Sequence, residues 1–136
     1  MAAGGVQLIV VDAANVVGAR PDGWWRDRAG AARRLLERMT GAWAQPTEPA
    51  EVIVVLEGAA KAAVDAAADP GVGGVRVVRA EGSGDDAIVG VVAAARAQDS
   101  SRSITVVTAD RGLRARVAAA GAATVGPNWL LDRLGP

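Results

Sequence analysis

Leu8-Ile9-Val10-Val11-Asp12 is the most informative segment of the chain, because four consecutive apolar residues end directly in an acid. An unbroken apolar run of this length is typical of a parallel strand that is buried on both faces. Two later runs have the same pattern, and two more are rich in β-branched residues and bounded by turn-forming residues. The sequence therefore predicts five strands, at Leu8–Val11, Val52–Leu56, Val75–Val78, Ile104–Thr108 and Ala123–Val125.

Apolar residues recur at helical spacing in the segments between and after these strands. This pattern predicts helices over Ala29–Trp43, Lys61–Ala68, Ile88–Ala95, Leu113–Ala120 and Trp129–Leu134. Regular alternation of strands and helices indicates an α/β fold, in which helices cover both faces of a parallel sheet. The length of 136 residues suits one such unit, so we expect a single domain over residues 1–136.

Two residue types on which many enzymes depend are missing, since the chain contains neither cysteine nor histidine. Their absence excludes disulfides, thiolate zinc sites and the Ser-His-Asp triad. Any bound metal must be held by oxygen atoms, which favours Mg²⁺ or Mn²⁺. The apolar runs are too short to span a bilayer, and the start lacks the features of a signal peptide. We therefore expect a cytoplasmic protein that does not contact membranes.

Acidic residues follow the predicted strands at the points where these strands end. Asp12 follows the first strand, Glu57 the second and Asp110 the fourth, while Asp85 and Asp86 begin the helix after the third. Ligands of open parallel sheets bind at the carboxyl ends of the strands, so these acids are predicted to converge. Carboxylates a few ångströms apart repel by about 1 to 4 kcal/mol per pair, and a cation commonly relieves this repulsion.

Each of these acids also has a purely structural interpretation. An aspartate after a strand often caps the next helix, as Asp12 and Asp110 would. The segment Ser83-Gly84-Asp85-Asp86 has the pattern of a capping box, with Ser83 as the N-cap residue and Asp86 as the returning carboxylate. If Asp86 has that role, no capping role remains for Asp85.

Three short motifs carry a resemblance to a known family: Val11-Asp12-Ala13-Ala14-Asn15-Val16-Val17, Gly84-Asp85-Asp86-Ala87-Ile88 and Val107-Thr108-Ala109-Asp110-Arg111-Gly112-Leu113. In these motifs the sequence resembles the NYN domains, a branch of the PIN-like nuclease superfamily, and the resemblance runs nearly from end to end. It implies a PIN-like three-layer α/β/α sandwich whose five-stranded parallel sheet has the order 3-2-1-4-5. It also implies metal-dependent ribonuclease activity.

The same resemblance implies roles for individual residues. Asp12, Asp85 and Asp110 match the metal-binding carboxylates, and Asn15 matches the motif asparagine beside them in the catalytic site. Asp86 and Glu57 are further candidate ligands, although the family often has aspartate at the position of Glu57. A second departure is Ala14, where the family commonly has an aromatic residue. Thr108 would orient water or a ligand by hydrogen bonding, or else make only local turn and cap bonds.

Candidate RNA-binding residues lie in two arginine-containing segments. In the first, cations and aromatics alternate, and in the second, arginines follow Asp110; such residues can contact phosphates and stack on unpaired bases. The alternative is a solvated helix face with tryptophans packed into the core, and we expect this core position for Trp25, Trp43 and Trp129. The candidates are Arg20, Trp24, Arg26, Arg28, Arg111 and Arg114.

The preferred function is a Mg²⁺- or Mn²⁺-dependent ribonuclease that hydrolyses single-stranded or locally unpaired RNA. One alternative is a metal-dependent nucleoside triphosphate phosphohydrolase, which the same carboxylates would serve. Another is a catalytically inactive RNA-binding module, which the formal net charge of zero and Glu57 would suit. We also consider a homodimer as a mode of assembly.

Overall fold

The computed structural model describes residues 7–19, 23–43, 50–63 and 75–134. The described chain contains five strands, five α-helices and two short 3₁₀ helices. The strands are β1 (Gln7–Asp12), β2 (Ala50–Leu56), β3 (Val75–Arg79), β4 (Ile104–Val107) and β5 (Ala123–Val125). The α-helices are α1 (Ala13–Gly18), α2 (Arg28–Trp43), α3 (Gly84–Gln98), α4 (Arg111–Ala119) and α5 (Pro127–Leu134), and the 3₁₀ helices are Trp24–Arg26 and Gly58–Ala63.

The five strands form one parallel sheet with the order β3-β2-β1-β4-β5, as the sequence analysis predicts. Alternate residues of the central strands point to opposite sides of the sheet, which gives it two apolar faces, and helices cover both. Ile9 and Val11 pack with α1, α2 and α5 on one side. Leu8 and Val10 pack with α3 and α4 on the other. Continuous apolar runs are therefore needed in the central strands, and the result is a three-layer α/β/α arrangement.

The point where the strand order reverses lies at the carboxyl end of β1. β1 pairs with β2 on one side and with β4 on the other, and Asp12 stands opposite Val55 of β2. Val11 stands opposite Val107, so Asp12 and Thr108 leave their strands side by side. This topology brings the loops after β1, β2 and β4 to one edge of the sheet.

Two helical predictions differ from the structure. The sequence analysis does not predict α1, which starts directly after Asp12 and spans only six residues. It predicts a helix over Lys61–Ala68, whereas the chain forms a 3₁₀ helix over Gly58–Ala63, and residues 64–68 lie outside the described ranges. Among the described helices, none is long and apolar enough to cross a membrane.

Candidate functional site

Asp12 stands at the centre of the carboxyl edge and is buried, with 7% of its surface exposed. Its Oδ1 accepts a hydrogen bond of 3.3 Å from the backbone N–H of Asn15, which makes it the N-cap of α1. Its Oδ2 accepts a hydrogen bond of 2.9 Å from the Thr108 hydroxyl. Burial raises the pKa of Asp12, the two hydrogen bonds oppose this rise, and the charges of Asp85 and Glu57 add to it.

Thr108 and Asn15 hold the loop after β4 against the loop after β1. Thr108 is fully buried, and its hydroxyl, which donates to Asp12, accepts from the backbone N–H of Asp110 at 3.1 Å. The Asn15 side-chain oxygen accepts from the backbone N–H of Ala109 at 2.8 Å. Both motif residues therefore position the segment that carries Asp110 relative to Asp12.

Asp110 is the N-cap of α4, as its structural interpretation predicts. Its Oδ1 accepts from the backbone N–H of Leu113 at 2.9 Å, while the residue itself is exposed. Capping does not remove Asp110 from the site, because its negative charge raises the pKa of Asp85. The capping role and membership in the acidic cluster therefore coexist.

Glu57 reaches from the end of β2 to the first turn of α3. Its Oε2 accepts from the backbone N–H of Gly84 at 2.6 Å. A Cβ atom at position 84 would lie 3.0 Å from the Glu57 carboxyl carbon, so glycine allows this close approach. The contact fixes the start of α3, and hence Asp85, relative to β2. The sequence analysis missed it, although a glycine just before two acids was a possible signal.

Asp85 and Asp86 are neighbours in sequence, but their carboxylates lie in different surroundings. The pKa of Asp85 is raised by burial and by the charges of Asp110 and Glu57. Asp86 accepts a hydrogen bond of 2.9 Å from Arg116, and this contact, together with the Ser83 hydroxyl, lowers its pKa. The Ser83 hydroxyl accepts from the Asp86 backbone N–H at 3.1 Å, so the predicted N-cap is confirmed.

The structure thus gathers four carboxylates, those of Asp12, Glu57, Asp85 and Asp110, closely enough for their charges to interact. Carboxylate oxygens are the donor type that Mg²⁺ and Mn²⁺ prefer, so the chemistry of this set fits either ion. Among the residues that the structure describes, however, no three acids stand in an arrangement that would enclose a metal ion. The carboxylates therefore supply suitable oxygen donors, but in an arrangement too open to enclose an ion.

The predicted RNA-binding residues have different positions. Arg20 and the side chain of Trp24 lie outside the described part of the chain. Arg26, Arg28 and Arg111 are exposed, whereas the Nε of Arg114 donates to the backbone oxygen of Thr108 at 2.8 Å and supports the loop after β4.

The prediction that Trp25 packs into the core is wrong. Its surface is 53% exposed, and the Arg26 guanidinium lies 5.9 Å from its ring centre. The alternation of cations and aromatics in this segment does not indicate whether an individual ring is buried. Trp129 packs partly buried against the core, with Arg133 over its ring at 4.2 Å, and the side chain of Trp43 is outside the described set.

Two pockets flank the start of α1, and Ala14 lines both. One, of about 360 Å³, lies towards α2 and includes Glu57. The other is more open, has a volume of about 410 Å³, and is lined by Asn15, Ala109 and Asn128 among others. The acidic edge therefore has a surface depression on either side of the segment that links Asp12 to Asn15.

Comparisons with known proteins show the fold. Comparison with protein-family models and with curated proteins gives no match. Among solved structures, the chain is similar to Rae1 (YacP) from Bacillus subtilis, with a TM-score of 0.71 and 20% identity over 95% of this chain and 74% of that one. A mutant of the same protein matches with a TM-score of 0.66 and 21% identity, over 95% and 75% of the two chains. These similarities show that the chain shares the α/β fold of this protein, with its five-stranded parallel sheet flanked by helices.

Proposed function

We propose that the protein is a metal-dependent ribonuclease whose reaction takes place at the carboxyl edge of the sheet. The observation that carries this proposal is the gathering of four carboxylates at one edge of the sheet, where burial raises the pKa values of Asp12 and Asp85 and the neighbouring carboxylates add to this rise. Clustered like charges at the reversal point of a parallel sheet are a frequent feature of functional sites. The shared fold and the resemblance to NYN domains support the same choice of reaction.

Asp12, Asp85 and Asp110 would hold Mg²⁺ or Mn²⁺, with Glu57 as a further candidate. Asp86 is a weaker candidate, because its carboxylate is paired with Arg116. When bound, such an ion lowers the pKa of a coordinated water and holds the scissile phosphate for in-line attack. The open arrangement would have to close on binding, and the mutual repulsion of the carboxylates would be relieved at that moment.

Two further residues would position the acidic side chains. Thr108 and Asn15 hold the two loops at a fixed separation, so Asp12 and Asp110 stay in register. No described residue donates a hydrogen bond to the Asp85 carboxylate, so its oxygens are available to coordinate the ion.

Contacts to RNA would be local, because the formal net charge of the chain is zero. Trp25 and Arg26 form an exposed cation–aromatic pair, and Arg28 lies two residues further along. Aromatic rings stack on unpaired bases without strong sequence preference, while arginines contact phosphates. We therefore propose single-stranded or locally unpaired RNA as the substrate, with Trp25 as a stacking ring.

A catalytically inactive RNA-binding module is the second candidate. The observation that favours it is the lack, among the described residues, of three acids arranged around a common metal position. The same fold and the same exposed Trp25–Arg26 pair would then serve binding alone.

An activity screen separates these functions. Purified protein is incubated with Mn²⁺ or with EDTA and then offered single-stranded RNA, structured RNA and nucleoside triphosphates. The proposal predicts Mn²⁺-dependent cleavage of single-stranded RNA, with little hydrolysis of nucleotides. Binding of RNA without cleavage would support the inactive module, and hydrolysis of nucleotides alone would support a phosphohydrolase.

A further inference from the structure

A pocket beside the acidic cluster has the chemistry of a nucleobase site. It lies between α1, the first turns of α2 and the 3₁₀ helix Gly58–Ala63, with a volume of about 360 Å³. This is within the range of about 300 to 1,000 Å³ that small-molecule pockets occupy. Small apolar side chains, glycines and two charged residues line it: Ala13, Ala14, Val17, Ala32 and Ala60, with Gly58, Gly82, Arg28 and Glu57.

The balance of these residues favours a base over a phosphate. A base has two apolar faces and a polar edge, which suits alanine and valine walls with few polar groups. A phosphate would need several cations, but Arg28 is the only cation that the described residues contribute to this lining, and the negative charge of Glu57 would oppose the anion.

The pocket adjoins the acidic cluster, because the two share Glu57. Glu57 belongs both to the pocket lining and to the group of carboxylates that raise the pKa of Asp12. Ala14 lies between Asp12 and Asn15 in the chain and also lines the pocket. A base in the pocket would therefore belong to a nucleotide adjoining the phosphate held at the carboxylates.

We propose that this pocket binds one unstacked base of the RNA substrate, next to the scissile phosphate. The inference rests on the proposed ribonuclease function and adds to it a defined subsite. Loss of the contact between the base and these apolar walls should weaken RNA binding by about 10-fold, which corresponds to about 1.4 kcal/mol.

The test is a scan of single-stranded RNA with abasic sites, measured by fluorescence anisotropy in Ca²⁺ to suppress cleavage. One abasic position should weaken binding to the wild type far more than the others. Ala60→Leu should fill the pocket, weaken binding of intact RNA to the same extent, and abolish the extra penalty at that position. Ala59→Leu, an exposed neighbour in the same 3₁₀ helix, is the matched control and should bind as the wild type does.

The outcomes distinguish the pocket from the proposed function. An Ala60→Leu protein that binds as tightly as the wild type and keeps the abasic penalty would overturn the pocket, as would a wild type with no position-specific penalty. If Ala60→Leu melts early, Ala14→Leu probes the same pocket from the opposite wall. A wild type that neither binds nor cleaves RNA would instead overturn the ribonuclease proposal itself.

Discussion

The contact between Glu57 and Gly84 allows a quantitative prediction. The effect on stability of a methyl group added at position 84 should depend on Glu57, which lies 27 positions earlier in the chain. In the wild type, Gly84→Ala places a Cβ atom 3.0 Å from the Glu57 carboxyl carbon and displaces the carboxylate from its 2.6 Å hydrogen bond. A hydrogen bond to a charged group contributes about 1.5–3 kcal/mol to stability. Alanine recovers at most about 1 kcal/mol relative to glycine in a helix. The expected net loss is therefore about 0.5–2 kcal/mol.

In a Glu57→Ala background the sign should reverse. The carboxylate is then absent, so the added methyl group meets no obstacle and only the helix propensity of alanine remains. Gly84→Ala should then stabilise the protein by up to about 1 kcal/mol. Glu57→Gln is the matched control, because it removes the charge but keeps an oxygen that can accept from Gly84.

Urea unfolding followed by tryptophan fluorescence measures all four members of this cycle. With an m-value of about 2 kcal/mol/M, Gly84→Ala should lower the midpoint by about 0.25–1 M in the wild type and raise it slightly in Glu57→Ala. An equal effect of Gly84→Ala in both backgrounds would refute the reasoning, because it would mean that the two residues act independently.

Three further predictions concern the metal, the buried acid and the RNA contact. Millimolar Mg²⁺ or Mn²⁺ should raise the melting temperature, by the equivalent of about 2.7 kcal/mol at 100 times the Kd, and an unchanged melting curve would count against the site. Because burial raises the pKa of Asp12, the folded protein binds that proton more tightly than the unfolded chain, and stability falls as pH rises through the folded-state pKa. In EDTA, the stability of the wild type should therefore fall more steeply than that of Asp12→Asn as pH rises above the ordinary value of 3.8, and thermal melts at a series of pH values measure this difference. In anisotropy titrations, Trp25→Ala should weaken binding of single-stranded RNA by about 1–3 kcal/mol without changing its salt dependence. Arg26→Ala should instead reduce the slope of log K against log salt by about 0.7. Unchanged binding in both variants would mean that RNA binds at another surface.

The strands could be predicted from the sequence because their burial is nearly independent of the loops. Val52–Leu56 and Leu8–Val11 are apolar at every position, as a strand covered on both faces requires, and the observed strands extend them by one or two residues. α1 was missed because Ala13–Gly18 is short and includes two adjacent valines and an asparagine, which have low helix propensity. Its formation depends on the cap from Asp12 and on burial of Val16.

The acids could be placed at one edge from the sequence, but their individual partners could not. The pairing of Asp86 with Arg116 and the reach of Glu57 to Gly84 join residues far apart in the chain. Such contacts depend on how α3 packs beside α4 and β2, which local patterns do not encode. The exposure of Trp25 was missed for a related reason, because burial of a ring depends on contacts with distant elements rather than on its neighbours in the sequence.

The most direct test of the central claim compares Asp85→Asn with Asp86→Asn in Mn²⁺-dependent cleavage of single-stranded RNA. The two substitutions make the same chemical change at adjacent positions, but only Asp85 interacts with the charges of Asp110 and Glu57, whereas Asp86 pairs with Arg116. We predict that Asp85→Asn lowers the cleavage rate by about 100-fold or more, while Asp86→Asn cleaves at nearly the wild-type rate. Cleavage by Asp85→Asn at the wild-type rate would contradict the proposal that these carboxylates perform the reaction.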